Sequence, residues 1–396
     1  MTMLIFPYFI PPLLAIIAAF FDSGMTQSVR RNVYHLLTLS GVLIYCCVYL
    51  NGTDWPAYEI FFENITWTNL FSESKLRNFE LGFSFLLLSL KTIGFNFMIS
   101  LIIMKVFSFI VISSFFYSFS VSETAQGYSK NIFLLLFIFY TTSCMYLYVE
   151  TIIRFSLALA IVSRSYKYFL SGEFIIYLFI VLLAALFHRT VLIVIPLYFF
   201  REIKLPSISL FFLVFLIYAF FSPQMLLLVF KFINQYLSNI FIIKLVSYLE
   251  FTIKLNKVNP LAIGNIVHFL FFILVVIYRK KIECLPKHGK KIFAATIVFF
   301  IIYFATIYMG SVSRMRLLYN LFFIISLTAI LSVTYVNRTF VFILCVCFWI
   351  LGFYLSIDRN FCNKYYTNYI TSFLSGNADL TFAEKYSIYT YWSLQE

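Results

Sequence analysis

LAIGNIVHFLFFILVVIY at residues 261–278, RKKIECLPKHGKK at 279–291 and IFAATIVFFIIYFATIYM at 292–309 decide what kind of molecule this is. Each flanking run has 18 residues and no Asp, Glu, Lys or Arg, while the joint between them carries six Lys and Arg. As an α-helix such a run is about 27 Å long, close to the roughly 30 Å hydrocarbon core of a bilayer. Water would not tolerate that much exposed apolar surface, so the bilayer is the solvent, and the dense positive joint is expected on the cytoplasmic side.

Moving outward, the same pattern recurs at 3–21, 33–50, 95–119, 132–148, 152–168, 174–187, 191–200, 208–221, 317–335 and 339–357. With the first pair this predicts an all-α polytopic integral membrane protein of about 12 transmembrane helices, several of them short or re-entrant. The composition agrees: 62% of the 396 residues are hydrophobic and 11% charged, and the mean hydropathy is +0.94. A net charge of +13 would suggest nucleic acid in a soluble protein. Here the cations sit in short joints, where they set orientation and meet anionic lipid, so no nucleic-acid partner is expected. No polar stretch is long enough to form a soluble domain, and residues 1–396 read as a single membrane domain. Met1-Thr2-Met3 lacks a basic leader region and no cleavage pattern follows Phe21, so the first run is expected to stay as a span. Seven cysteines, five of them inside apolar runs, suggest neither a disulfide framework nor a metal site.

Counting spans from the joint at 279–291 places Arg30-Arg31, Lys130, Arg164 with Lys167, Arg201 with Lys204, and Arg338 on the cytoplasmic side, and both termini opposite. Residues 174–200 could form one long helix, but both flanks are basic. Two short helices with His188 and Arg189 at an outer tip satisfy the charges better. Two longer segments face outward: 51–94, the first periplasmic loop, and 222–260, the second. Within the first, 81–90 is too short to span and reads as an interfacial or re-entrant helix resting on protein.

A charge in an apolar run costs up to about 2.5–3.5 kcal/mol on insertion scales, the figure for the helix centre, and those kept at the rim of the runs need a reason to exist. Arg154, His188, Arg189, Arg314 and Arg316 are in that position. Arginine's planar fork matches phosphate oxygens in pairs, and several at outward joints suggest an anion site. Snorkelling to the interface is the plain alternative for any one of them. Arg314 and Arg316, two residues apart, cannot share a helical face, so one is expected to point inward. His188 is either a hydrogen-bonded structural residue or a general base, since histidine titrates near neutrality. Asn51-Gly52-Thr53-Asp54-Trp55-Pro56-Ala57-Tyr58 and Glu80-Leu81-Gly82-Phe83 read as turn chemistry, or as carboxylates and an indole suited to sugar hydroxyls. Arg77 lies in the same loop. Ser156, Ala158 and Ala160 behind Arg154 would let a neighbouring helix come close. His268 reads as a packing residue, and Lys105, deep in a run, either pairs with a carboxylate or binds substrate.

Taken in order, Gly52-Thr53-Asp54-Trp55-Pro56-Ala57-Tyr58, Glu80-Leu81-Gly82-Phe83, Ile153-Arg154-Phe155-Ser156-Leu157-Ala158, Leu183-Ala184-Ala185-Leu186-Phe187-His188 with Pro196, and Ser313-Arg314 resemble a Wzy-type polysaccharide polymerase of the EpsG-like group. The family often carries an Arg before the Gly-Thr-Asp element, where Val48-Tyr49-Leu50 stands, and a Gln after the equivalent of Arg154, where Phe155 stands. The resemblance implies a glycosyltransferase-C-like fold in the bacterial inner membrane. Its activity would be joining polyprenyl-diphosphate-linked repeat units of O-antigen or a related surface polysaccharide at the periplasmic face. No cofactor or metal is expected. Beyond the lipid-linked glycans and membrane lipids, a chain-length regulator and a flippase of the same pathway are the expected partners. The predicted catalytic residues are His188, Arg154, Arg314 and Asp54; the predicted substrate-binding residues are Arg189, Arg316, Tyr58, Trp55, Glu80 and Arg77. Rival readings are a lipid-linked oligosaccharide flippase and an O-antigen ligase.

Overall fold

The computed structural model describes residues 6–48, 54–124, 132–149, 152–220, 223–236, 263–285, 288–307 and 314–333, with 242–243, 246–247, 249–250 and 253. Among them every regular element is helical and none is a β-strand. The predicted run 339–357 and the aromatic tail lie outside the described residues. Chain contacts divide the molecule into two compact units, the first ending at Ile195 and the second beginning at Pro196.

In the first unit the order is α1 Ile10–Phe21, α2 Gln27–Gly41, α3 Trp55–Asn64, α4 Leu70–Leu76, α5 Leu81–Ile93, α6 Phe97–Thr124, α7 Ile132–Phe139, α8 Ile153–Ser171 and α9 Phe174–Ala185. A 3₁₀ segment, Arg189–Phe199, follows. Helix α8 packs against both α6 and α9, and it does so through small residues: Ser156, Ala158, Ala160 and Ser163 are fully buried. Their size brings helix backbones together, and the serine hydroxyls donate back to carbonyls three residues earlier, so no polar group is stranded. Ser156 Oγ donates to Ile153 O at 2.9 Å and Ser163 Oγ to Ala160 O at 2.6 Å.

Among the described residues three helices are long and apolar enough to cross a membrane, Phe97–Ser120, Gly289–Thr306 and Arg314–Leu331, with a fourth if the bent pair 207–218 and 223–236 counts as one. Most of the other predicted spans that are described appear as shorter helices or pass into another helical geometry. After Phe139 the run predicted at 132–148 widens into a π-helix, Tyr140–Val149. Thr141 Oγ1 donates to Phe137 O and Ile138 O at 3.0 and 3.1 Å, and Thr142 Oγ1 donates to Ile138 O at 2.7 Å. These hydroxyls bond back onto the preceding turn at the point where the helix widens. Run 33–50 likewise passes into a π turn at Val42–Cys46.

The chain reverses between α9 and the 3₁₀ segment: the Tyr177 hydroxyl at the start of α9 donates to the Val194 carbonyl, a contact that one continuous helix over 174–200 would place far apart. At about 2.0 Å per residue the 11-residue 3₁₀ segment reaches roughly 22 Å, where an α-helix would reach about 16 Å. Lys105 meets a backbone group, its Nζ donating to Val48 O at 2.9 Å.

Segment 54–94 folds as a small domain-like cap with its own apolar cluster, including Trp55, Tyr58, Phe61, Phe79, Phe83 and Leu87, closed by Ile153 and Leu157 of α8. Lys91 of α5 ties the end of α3, donating to the carbonyls of Phe62, Glu63 and Ile65 at 2.6, 2.8 and 3.1 Å. These are the orphan acceptors of a helix C-terminus, and a cation there also meets the negative end of the helix dipole. Lys91→Met keeps the stem and removes all three bonds; a loss of about 2–4 kcal/mol is expected from charge-assisted bonds of roughly 1.5–3 kcal/mol each, discounted for water entering the site. Thermal unfolding in detergent measures it, and an unchanged transition would refute the tie.

The second unit contains α10 Ser207–Phe220, α11 Pro223–Tyr236, α12 Ile263–Ile277, α13 Arg279–Glu283, α14 Gly289–Thr306 and α15 Leu317–Val333. Its interior is aromatic: Phe299 stacks on Phe323 at 4.9 Å between ring centroids, and His268 on Tyr303 at 4.1 Å. Thr296 Oγ1 and Ser326 Oγ are 2.7 Å apart and bridge α14 to α15.

Candidate functional site

Helix α4 ends in a turn that builds one wall of the site. Asn78 adopts a left-handed conformation, φ 55°, which asparagine tolerates better than most residues. Asn78 N–H donates to Lys75 O at 3.2 Å and Phe79 N–H to Ser74 O at 2.9 Å, the paired bonds of a Schellman turn. The turn drops Phe79 into the apolar cluster, edge-on to Phe61 at 4.8 Å, and delivers Glu80 as the residue preceding α5.

Gly82 then brings this corner against the end of α9. Its N–H donates to Leu186 O at 2.8 Å, and a Cβ added there would lie 2.7 Å from that same oxygen. Only glycine permits so close an approach. Glu80 is thereby placed between two motif pieces that are remote in sequence: its Oε2 accepts from Arg154 Nη1 at 2.8 Å, and its Oε1 from the backbone N–H of Arg189 at 3.3 Å.

Arg154 is the centre of the cluster. Its Nε donates to the Tyr58 hydroxyl at 3.4 Å and its Nη1 also to Asn78 O at 3.4 Å. The guanidinium lies 4.6 Å from the Phe79 ring centre and 5.7 Å from that of Tyr58. It stands in the first turn of α8, where a cation opposes the helix dipole and ordinarily costs stability. Three polar partners and two aromatic faces hold it there with 21% of the side chain exposed. A fixed, partly open guanidinium beside a helix N-terminus favours anions.

His188 sits at the reversal after α9. Thr190 N–H donates to His188 Nδ1 at 3.3 Å, with Thr190 Oγ1 2.7 Å from the same nitrogen. With Nδ1 accepting from the Thr190 N–H, the matching tautomer of the imidazole carries its proton on Nε2. The ring meets Phe155 edge-on at 5.4 Å. The Arg189 side chain is exposed and makes no ion pair among the described residues.

On the far side of Tyr58, Asp54 Oδ2 lies 3.5 Å from the Tyr58 hydroxyl. Trp55 is 2% exposed, and its indole N–H, like Arg77 Nε, is buried with no hydrogen-bond partner. A buried orphan donor costs about 1–3 kcal/mol. Arg314 and Arg316 belong to the second unit, at the head of α15; Arg316 lies over Tyr303 at 4.6 Å, and His268 Nδ1 is 2.7 Å from Gly264 O.

The structure therefore joins Arg154, Glu80, Tyr58 and the Arg189 backbone by direct contacts, with Asp54 attached through Tyr58 and His188 preceding Arg189. Phe79, Asn78 and Thr190 complete the site and are absent from the predicted set. An aromatic directly before Glu80 and a hydroxyl two residues after His188 were the available signals. Both are too common to stand out.

Four of the five ordered pieces on which the family resemblance rests contribute to the first unit, Arg314 belonging to the other, and the family model described as EpsG family matches residues 31–371. This chain belongs to the EpsG family. That is a family of glycosyltransferase-like polysaccharide polymerases working in a membrane setting. No curated protein and no solved structure matches the chain. Within this EpsG-family chain the match takes in both units and all the residues of the Arg154 cluster.

Proposed function

We propose that this chain joins polyprenyl-diphosphate-linked repeat units of O-antigen or a related surface polysaccharide at the periplasmic face of the bacterial inner membrane. The observation that carries this reading is the Arg154 cluster: a fixed guanidinium from one motif piece and His188 with Arg189 from another, brought together at Glu80. In this reaction an acceptor hydroxyl attacks the anomeric carbon of the donor sugar. The bond from that carbon to the diphosphate oxygen breaks, and the diphosphate leaves with the electron pair as an anion. Arg154 and Arg189 hold the developing charge, which is the larger part of the work because the leaving group needs no protonation. His188 Nε2–H donates to the departing oxygens. Asp54 takes the hydroxyl proton. Tyr58 and Glu80 keep Arg154 in place.

The assignment of donor and base is tested by three variants in the deletion strain. His188→Gln retains an amide donor and is expected to keep activity within about tenfold, whereas His188→Ala and Asp54→Asn lose about a hundredfold, typical of removing a positioned proton-transfer or charge-stabilising group. If His188→Gln is as inactive as His188→Ala, histidine is the base. The glycolipid ladder also separates the rival activities. A lost polymerase leaves single-repeat glycolipid at the outer face, a lost flippase leaves it inside, and a lost ligase leaves polymer on its lipid carrier.

A further inference from the structure

A cluster unrelated to the Arg154 site lies in the second unit, where the segment after the 3₁₀ helix meets α13. Arg279 works as a clamp: its Nη2 donates to Ile203 O at 2.8 Å, its Nη1 to Leu205 O, and its Nε pairs with Glu283 Oε1 at 2.7 Å. The guanidinium is thereby consumed in holding residues 203–205 against α13. Lys204 comes with that segment. Lys291, at the start of α14, lies close enough to Arg201 and Glu202 to feel their charges, which brings the Lys290-Lys291 pair to the same end.

Beside the clamp is a cleft of about 610 Å³ lined by Pro206, Ser207, Ile277, Lys280, Lys281 and Glu283, among others. Lys280 and Lys281 are exposed and in no ion pair among the described residues. The charged lining of the cleft is Arg279, Lys280 and Lys281 against one carboxylate, Glu283, which Arg279 already pairs. Ile277 in the lining is 67% exposed, and Leu205 and Ile208, which flank the lining residues Pro206 and Ser207 in the chain, are 48% and 62% exposed. The exposed Phe212 on α10 and Leu270 on α12 continue that surface away from the lysines.

Cations at one end and bare aliphatic side chains running down two neighbouring helices describe an amphipathic anion. A free phosphate would use the first feature and gain nothing from the second. We propose that this cleft binds the headgroup of an anionic phospholipid, with the phosphate against Lys280 and Lys281 and the acyl chains along α10 and α12. The site is independent of the polymerase reading and does not depend on which substrate the Arg154 cluster takes.

The test uses the purified full chain, stripped of lipid in a neutral detergent and titrated with phosphatidylglycerol, phosphatidylcholine, glycerol 3-phosphate or inorganic phosphate. Bound lipid is counted by native mass spectrometry and its effect by thermal unfolding. Phosphatidylglycerol is expected to be retained at least tenfold better than phosphatidylcholine, and the two water-soluble anions not to bind at millimolar concentration. Lys280→Gln with Lys281→Gln is expected to cut phosphatidylglycerol retention about tenfold and leave phosphatidylcholine unchanged. Equal retention of the two lipids, or a double variant indistinguishable from the parent, overturns the site. Glycerol 3-phosphate binding as tightly as the lipid overturns the lipid as its source. If the double variant does not fold, salt titration of the parent decides: retention of phosphatidylglycerol must fall between 50 and 500 mM salt, as screening requires, and a flat response overturns the proposal.

Discussion

Arg154→Lys is expected to abolish chain extension almost as completely as Arg154→Ala. Lysine preserves the charge but presents a compact ammonium, while the site uses Nε toward Tyr58 and Nη1 toward Glu80 and Asn78 at once. A single ammonium cannot satisfy that spread and also keep a further donor, as Nη2 of the guanidinium does, for a diphosphate oxygen. Losing two charge-assisted hydrogen bonds at about 1.5–3 kcal/mol each corresponds to roughly two to four decades in rate at 1.4 kcal/mol per decade. Glycolipid ladders from the deletion strain read the outcome. Full-length ladders from the lysine variant would sink the fork requirement.

The alanine variant carries a second penalty that has to be separated from chemistry. Glu80, 9% exposed in the pair, would be left buried with only the Arg189 N–H, and breaking a buried pair from one side is costly, about 3–5 kcal/mol. Combining Arg154→Ala with Glu80→Gln removes the stranded charge. The double variant is therefore expected to regain thermal stability over Arg154→Ala while remaining inactive. If activity returned with stability, Arg154 would be a structural residue alone.

Gly82→Ala is the other substitution expected to have a large effect. The new methyl would stand 2.7 Å from Leu186 O, 2.9 Å from Leu186 Cβ and 3.0 Å from Leu186 C. Backbone cannot step aside as a flexible side-chain tip can, so α5 must withdraw from the end of α9. The N–H bond to Leu186 is lost with it, and the summed cost is about 2–4 kcal/mol from overpacking and a broken buried hydrogen bond. Glu80 moves away from Arg189, and polymerisation is expected to fall with stability. Gly24→Ala is the control: nothing lies within 4 Å of a Cβ there, and neither ladder nor unfolding temperature should change. A Gly82→Ala variant that behaves like Gly24→Ala would show that the close approach is not needed.

Much of this molecule could be read along the chain because bilayer chemistry is local. An apolar run must become a helix in lipid whatever its neighbours are, so the positions of α6, α12 and α14 follow from their own residues. Small residues behind Arg154 likewise announced the tight packing of α8. The runs that shortened did so for reasons that depend on backbone geometry. Residues 140–149 take π geometry and residues 189–199 take 3₁₀ geometry; apolarity is the same in either form.

The site divides in the same way. That Arg154, His188 and Glu80 are costly residues at the edges of apolar runs is a property of composition and position, visible before any folding. Their meeting is not, since Glu80 and Arg154 are separated by 74 residues and no spacing rule connects them. It took the left-handed turn at Asn78, the bare backbone at Gly82 and the Thr190 contact on His188 to set which oxygen faces which nitrogen. Transfer free energies act residue by residue and are written in the chain. Hydrogen-bond partners and protonation sites depend on distances between segments, which only packing creates.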